Sequence, residues 1–277
     1  MSIINSLKDS FANLFKKEPK KITFIIGEDF NEETKIPDLQ DRTEYWDDQR
    51  VEDIASLDNF LNDPKPFYDF YNNKKSEFKK FTSTSLHKSL AKLKDDYDIT
   101  IITLSVDSLF ERVGFKKVIH IHGCINEYFC DYTLGGCSNI FKIKGKWDNR
   151  TECPRCSETY TIRPNLVWLR QDTEFSTWQD ACLAVENCDL LVQISLDAQH
   201  PMSDALLSKC YSNKLEINAK SSDPEEMIFE FLIEKQPKEG SEEMKKKLKK
   251  YVSYKKPKQK NESEEESPKK KSKTKRK

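Results

Sequence analysis

A chain of 277 residues has room for one large domain or two. Its 36% hydrophobic and 34% charged residues, with only seven glycines, exclude collagen-like, glycine-linker and membrane-spanning classes. The 47 basic and 47 acidic side chains cancel, yet residues 236–277 hold 17 basic and 7 acidic groups, so a body near −10 carries a tail near +10.

Ile3, Ile4, Leu7, Phe11, Leu14 and Phe15 fall close to one helical face, which predicts an amphipathic helix over 3–16, within an N-terminal segment 1–19. Its modest cationic content favours packing on the domain over a membrane surface. Polar residues interrupt it, unlike a signal peptide, so an intracellular protein is expected, with eight cysteines serving as thiols or metal ligands rather than disulfides. The apolar run Ile22 to Ile26 before Gly27 reads as the first buried strand. From Asp53 to Lys94 the pattern is helical and rich in aromatics, broken by Pro64 and Pro66. Strands are predicted at 99–104, 118–121, 190–194 and 215–217, with helices at about 174–187, 201–211 and 223–235. That alternation predicts an α/β fold, a parallel sheet covered by helices on both faces. After Lys235 the apolar content collapses, and the tail 236–277 is expected to be disordered, with a transient helix over Glu242–Tyr251. The lysine-rich run Pro268 to Lys277 fits a nuclear-localisation signal read by an import receptor, a nucleic-acid contact, or a solvated tail.

Cys130, Cys137, Cys153 and Cys156 form two pairs, the first separated by six residues and the second by the two of Cys-Pro-Arg-Cys. Two such pairs converge readily on one tetrahedral ion, and zinc suits four soft thiolates. Four sulfurs leave no open position, so the zinc is assigned to folding rather than to catalysis. The competing reading is four free buried thiols. Cys182 and Cys188 read as core, and Cys124 is a thiol near a possible reaction centre.

The order of segments resembles the sirtuin family of NAD-dependent protein deacylases. Ile22-Thr-Phe-Ile-Ile-Gly27 with Glu33-Thr-Lys-Ile-Pro-Asp-Leu39 is similar to the family's first strand and cofactor loop, T-G-A-G-I-S-x-x-S-G-I-P-D-F-R. Thr103-Leu-Ser-Val-Asp107 with Leu109, Glu111, Arg112 and Gly114 resembles T-Q-N-I-D-x-L-H-x-x-A-G, and Ile119-His-Ile-His-Gly123 resembles the segment of the catalytic histidine. Arg163 to Trp168 resembles R-P-x-V-V-W, Val192 to Leu196 with Pro201 the G-T-S-L…P segment, and Glu216-Ile-Asn218 the later I-N segment. The match runs over about residues 20–235. It implies a Rossmann-like sheet (about 20–45, 97–126 and 164–235) with a small domain made of a helical module (46–96) and a zinc ribbon (127–163), followed by the disordered basic tail.

The resemblance also implies a reaction: an acyl group moves from a protein lysine to the ADP-ribose of NAD, with a histidine taking a ribose hydroxyl proton. That histidine falls on His122, and imidazole suits the role because its pKa of about 6.5 lies near working pH. The other reading of His122 is a satisfied structural histidine. Cofactor contacts fall on Gly27, Asp38, Ser105, Asp107, Ser195 and Asn218, and the partner is an acylated protein lysine. The cofactor motifs depart from the family: Gly27-Glu28-Asp29 stands for Gly-Ala-Gly, Gln40 for an arginine, Leu104-Ser105 for Gln-Asn, Gln193-Ile194 for Gly-Thr, and Leu169-Arg170-Gln171 for the Phe-Gly-Glu strand on which sirtuins pair a peptide. A carboxylate within about 4 Å of a phosphate costs about 4 kcal/mol at an effective dielectric near 20, on the order of a thousandfold in affinity. Two readings follow: a divergent deacylase with weakened NAD binding, or a zinc-stabilised binding module without turnover. A zinc-ribbon nucleic-acid protein is the third, opposed by the acidic body.

Overall fold

The computed structural model describes residues 20–27, 34–195 and 201–218. The helices read over 3–16 and 223–235 and the tail lie outside them. In chain order the elements are β1 Lys21–Ile26, the hairpin β2 Tyr45–Trp46 and β3 Gln49–Arg50, α1 Val51–Ile54, α2 Leu57–Asn62, α3 Lys65–Phe78, α4 Ser85–Lys92, β4 Asp98–Thr103, α5 Leu109–Arg112, β5 Val118–His120, β6 Gly123–Cys130, β7 Ile140–Phe141, β8 Ile162–Leu166, α6 Phe175–Glu186, β9 Leu190–Ser195, α7 Pro201–Ser208 and β10 Asn213–Asn218. Among the described residues no helix is long and apolar enough to cross a membrane.

Five strands form one parallel sheet in the order β10-β9-β1-β4-β5, with Ile22 level with Ile99 on one side and Leu190 on the other. β1 is apolar on both faces apart from Thr23, because both faces are covered, and the Thr23 hydroxyl donates to the Ala184 carbonyl at 2.9 Å. Ile22, Phe24 and Ile26 pack with Leu86 and Leu90 of α4, whereas Ile25 packs with Ala181 and Val185 of α6 and Leu206 of α7. Each of the larger of these side chains contributes roughly 1.5–3 kcal/mol by burial. α4 starts with a capping box: the Thr84 hydroxyl accepts from the His87 amide, and the His87 ring accepts from the Thr84 amide.

Strands β4 and β5 follow on one side of β1, and β9 and β10 on the other. The strand order thus reverses between β1 and β9, and the carboxyl edge at such a switch point is the place where open α/β sheets receive ligands. The Gly27 amide, first after β1, donates to the Ile194 carbonyl at 2.9 Å and anchors the start of its loop there.

The second core joins α1–α3 to the antiparallel sheet β7-β6-β8. Phe60 stacks on Trp147 at 5.7 Å, Tyr71 stacks on Trp168 at 5.8 Å, and the Tyr71 hydroxyl donates to the Ile54 carbonyl at 2.8 Å. The aromatics that recur irregularly in the helical text thus meet Trp147 of the cysteine-bearing segment and Trp168, after β8, in a single core. The β6–β8 pairing carries an irregularity between Cys124 and Tyr128, which breaks the period-two signal by which strands are read from sequence. Gly123, at φ 84°, touches β8 so closely that a Cβ would lie 1.9 Å from the Asn165 carbonyl oxygen, so only glycine fits beside His122.

Candidate functional site

The parallel strands bring most of the predicted cofactor residues to one edge. Gly27 follows β1, Ser105 and Asp107 follow β4, His122 follows β5, and Ser195 and Asn218 end β9 and β10 in register with each other. Glu28 and Asp29, on which the expected loss of affinity rests, lie outside the described residues. Asp38 is exposed, and its carboxylate accepts from the Gln40 amide at 2.8 Å.

Ser105 and Asp107 are buried and bonded to each other. Asp107 Oδ2 accepts from Ser105 Oγ at 2.6 Å and from Thr34 Oγ1 at 2.7 Å, while Oδ1 accepts from the Leu109 amide at 2.7 Å. Thr34 is the first described residue after Gly27, so this knot ties the segment that starts there to the loop after β4. Thr34 lies within the Glu33–Leu39 segment of the resemblance, where nothing assigned it a role of its own.

His122 is half-buried, and its carbonyl accepts from the Val167 amide at 3.1 Å, which fixes the loop after β5 against β8. Its neighbour His120 is held differently: one ring nitrogen lies 3.1 Å from the Ser105 carbonyl and the other 2.8 Å from Glu111 Oε1. Burial opposes a charge on His120, yet the Glu111 carboxylate and the Ser105 carbonyl bring its pKa above the ordinary value.

Gln40, where the resemblance expects an arginine, reaches across to the segment after β8. Its Nε2 donates to the carbonyls of Trp168 (2.8 Å) and Gln171 (3.3 Å), and its Oε1 accepts from the Arg170 amide at 3.0 Å. The Trp168 amide donates to the Gln171 side chain, the Leu169 amide to Ala55, and the Gln171 amide to Trp168. Residues 168–171 thus form a turn whose four amides all have partners. No strand is formed there.

The four cysteines predicted as ligands converge, with all sulfurs within 4.8 Å of one another. Cys130 and Cys156 are 3.6 Å apart, and Cys137 and Cys153 3.7 Å. A tetrahedral ion with metal–sulfur bonds of about 2.3 Å needs sulfurs about 3.8 Å apart, and a disulfide needs about 2.05 Å, so the set fits the ion. Both knuckles close alike: the amide of the residue after the second cysteine donates to the carbonyl of the first, Ser138 to Cys130 and Ser157 to Cys153, each at 2.9 Å. The six-residue gap reaches the same closure because a helical turn at Tyr132–Leu134 takes up the extra length. Burial pushes the Cys130 thiol up to about 12, whereas Cys153, against its burial, is brought down to about 6 by the amides of Cys156 and Arg155.

A parallel α/β sheet with a topological switch point between β1 and β9, and a second core beside four converging cysteines, define the class: a doubly wound α/β fold carrying a four-cysteine ribbon. The Sir2 family model matches residues 31–199, more than half of the chain, and the chain belongs to that family, the sirtuins. It is 25% identical over 185 residues to an NAD-dependent protein deacylase of Pseudomonas putida, covering 64% of this chain and 70% of that one. It is 32% identical over 158 residues to the NAD-dependent protein deacylase SIR2rp3 of Leishmania major, covering 53% and 62%. Among solved structures it resembles a Sir2 homologue–NAD complex at a TM-score of 0.57 and 21% identity over 87% of this chain and 94% of that one. Sir2Tm bound to a propionylated peptide gives 0.53 and 21% over 76% and 85%.

Proposed function

We propose that this chain is an NAD-dependent protein-lysine deacylase of the sirtuin type, with reduced affinity for its cofactor. The observation that carries the reading is the convergence of Gly27, the Ser105–Asp107 loop and His122 on the carboxyl edge of a Sir2-family sheet. Relatives bearing the deacylase name support it. The switch point between β1 and β9 suits a dinucleotide by its topology. Gly27, which follows β1, Ser195 and Asn218, which end β9 and β10, and Asp38 are the residues that would hold it. NAD, when bound, supplies the ADP-ribosyl acceptor for the acyl group. His122, fixed through its backbone to β8, serves as the proton acceptor at that edge. Thr34, Ser105 and Asp107 hold the two loops in register rather than offering further free polar atoms.

Structural zinc on Cys130, Cys137, Cys153 and Cys156 belongs to the same reading and holds the second core together. The Pro268–Lys277 run is assigned to nuclear import, and a fluorescent fusion that stays nuclear without that run removes the assignment. The alternative, a binding module without turnover, draws on the closure of residues 168–171 by Gln40, since an added peptide strand needs open amides.

Calorimetry with NAD and an acyl-peptide assay of wild type against His122→Ala separate the two. Product that depends on His122 supports the enzyme; no heat and no product at millimolar cofactor leave the binding module. Glycine at positions 28 and 29 is expected to tighten NAD binding.

A further inference from the structure

His120 ends β5 two residues before His122, and both of its ring nitrogens face acceptors. Nδ1 meets the Ser105 carbonyl at 3.1 Å and Nε2 meets Glu111 Oε1 at 2.8 Å. A carbonyl and an ionised carboxylate accept but do not donate, so both bonds exist together only when both nitrogens carry hydrogen, which makes the ring an imidazolium. Either neutral tautomer keeps one bond and sets lone pair against lone pair at the other. The His120 side chain is only 8% exposed, which leaves little room for water to repair the loss.

Three further groups bear on the ring. Glu127 of β6 adds negative charge, Lys142 after β7 faces Glu111, and the buried Cys124 thiol of β6 is kept protonated by its burial and adds none. The balance around His120 is anionic. From Ser105 the bonding continues through its hydroxyl to Asp107 and on to Thr34, so one ring links the edge strand, α5, the loop after β4 and the segment that starts at Thr34.

We propose that protonated His120 is a positioning residue: an imidazolium clamp that holds the 104–108 loop in its cofactor-receiving shape and releases it when the ring loses its proton. The regulatory consequence rests on the assignment of NAD to this edge; the clamp itself does not.

The test uses the full-length chain with ¹⁵N-labelled histidine, the His120 signals being identified by their loss in His120→Gln. The clamp expects both ring nitrogens protonated at pH 7 and a titration above the ordinary value near 6.5; a ring that titrates at or below that value overturns it. Calorimetry with NAD then compares about pH 7 with about pH 9.5. Wild type is expected to lose about tenfold in affinity across this range. Glu111→Gln is expected to stay level, because the new amide can donate to Nε2 while a neutral ring still donates from Nδ1 to Ser105. His120→Gln is expected to be weak at both values, and equal profiles for wild type and Glu111→Gln overturn the clamp. Should no variant bind NAD, the cofactor reading fails and the clamp is judged by the titration and by amide exchange at Leu109. That exchange is expected to be about tenfold faster in His120→Gln, and an unchanged rate overturns it.

Discussion

Asp131 Oδ2 accepts the Arg163 Nε–H at 2.6 Å, with the two side chains 1% and 8% exposed. Asp131 follows Cys130 directly, and its other oxygen accepts from the amide and hydroxyl of Thr133. Arg163, from β8, also donates to the Leu166 carbonyl at 2.8 Å and lies over the rings of Phe129 and Trp168. The pair therefore welds the first knuckle to β8. Removing one partner leaves a buried charge alone, so Arg163→Met is expected to cost roughly 3–5 kcal/mol. Urea unfolding measures it, and a cost below about 1 kcal/mol would count against the pair.

The knuckles make a second prediction. Ser138 and Ser157 sit at φ 58° and 63°, a region that disfavours residues with a Cβ. Glycine at either position is expected to raise stability by up to about 1 kcal/mol, the relief of strain being partly offset by the freer unfolded chain. Gly136→Ala is expected to do the opposite. Its Cβ would lie 2.6 Å from the Asp131 carbonyl oxygen and 2.7 Å from Cys130 Sγ, backbone and ligand that cannot yield together. Zinc content by atomic absorption reports both, with Cys153→Ser as the zinc-free reference; a full zinc complement in Gly136→Ala or Cys153→Ser contradicts the assignment.

Acid sensitivity is expected from His87. Burial against Phe110, at 4.4 Å between ring centres, pushes its pKa down to about 4, with the Asp107 charge pulling the other way. In the unfolded chain the ring titrates near 6.5, so between those values the unfolded state binds a proton that the folded state refuses. Stability is therefore complete above about pH 6.5 and falls as the pH drops towards 4, by roughly 3 kcal/mol. His87→Gln keeps a capping-box side chain at this position without the titrating ring. Its urea midpoint should change less between pH 7.5 and 4.5 than that of wild type, and parallel curves would remove His87 as the cause.

Gln40→Ala removes the acceptor of the Arg170 amide and the donor to two carbonyls. Amide exchange at Arg170 is expected to quicken about tenfold, equivalent to about 1.4 kcal/mol. Acyl-peptide affinity should improve if the closed turn obstructs a pairing strand. Unchanged protection at Arg170 would show that the turn is held by something else.

Sequence alone determined the five parallel strands, their helical cover and the four converging cysteines. These are local facts: a strand buried on both faces must be an apolar run, and a metal knuckle needs its sulfurs at short spacing. Parallel strands also place their carboxyl ends together, which is why the candidate residues Gly27, Ser105, Asp107 and His122 come to one edge. Tertiary structure decided the rest. That Gln40 closes the turn at 168–171, that Asp131 meets Arg163, and that His120 stands between Ser105 and Glu111 are juxtapositions of polar groups from distant segments. No periodicity announces such pairs. Their bonds form because each group, once buried by the packing of its neighbours, must find a partner or bear the cost of leaving water.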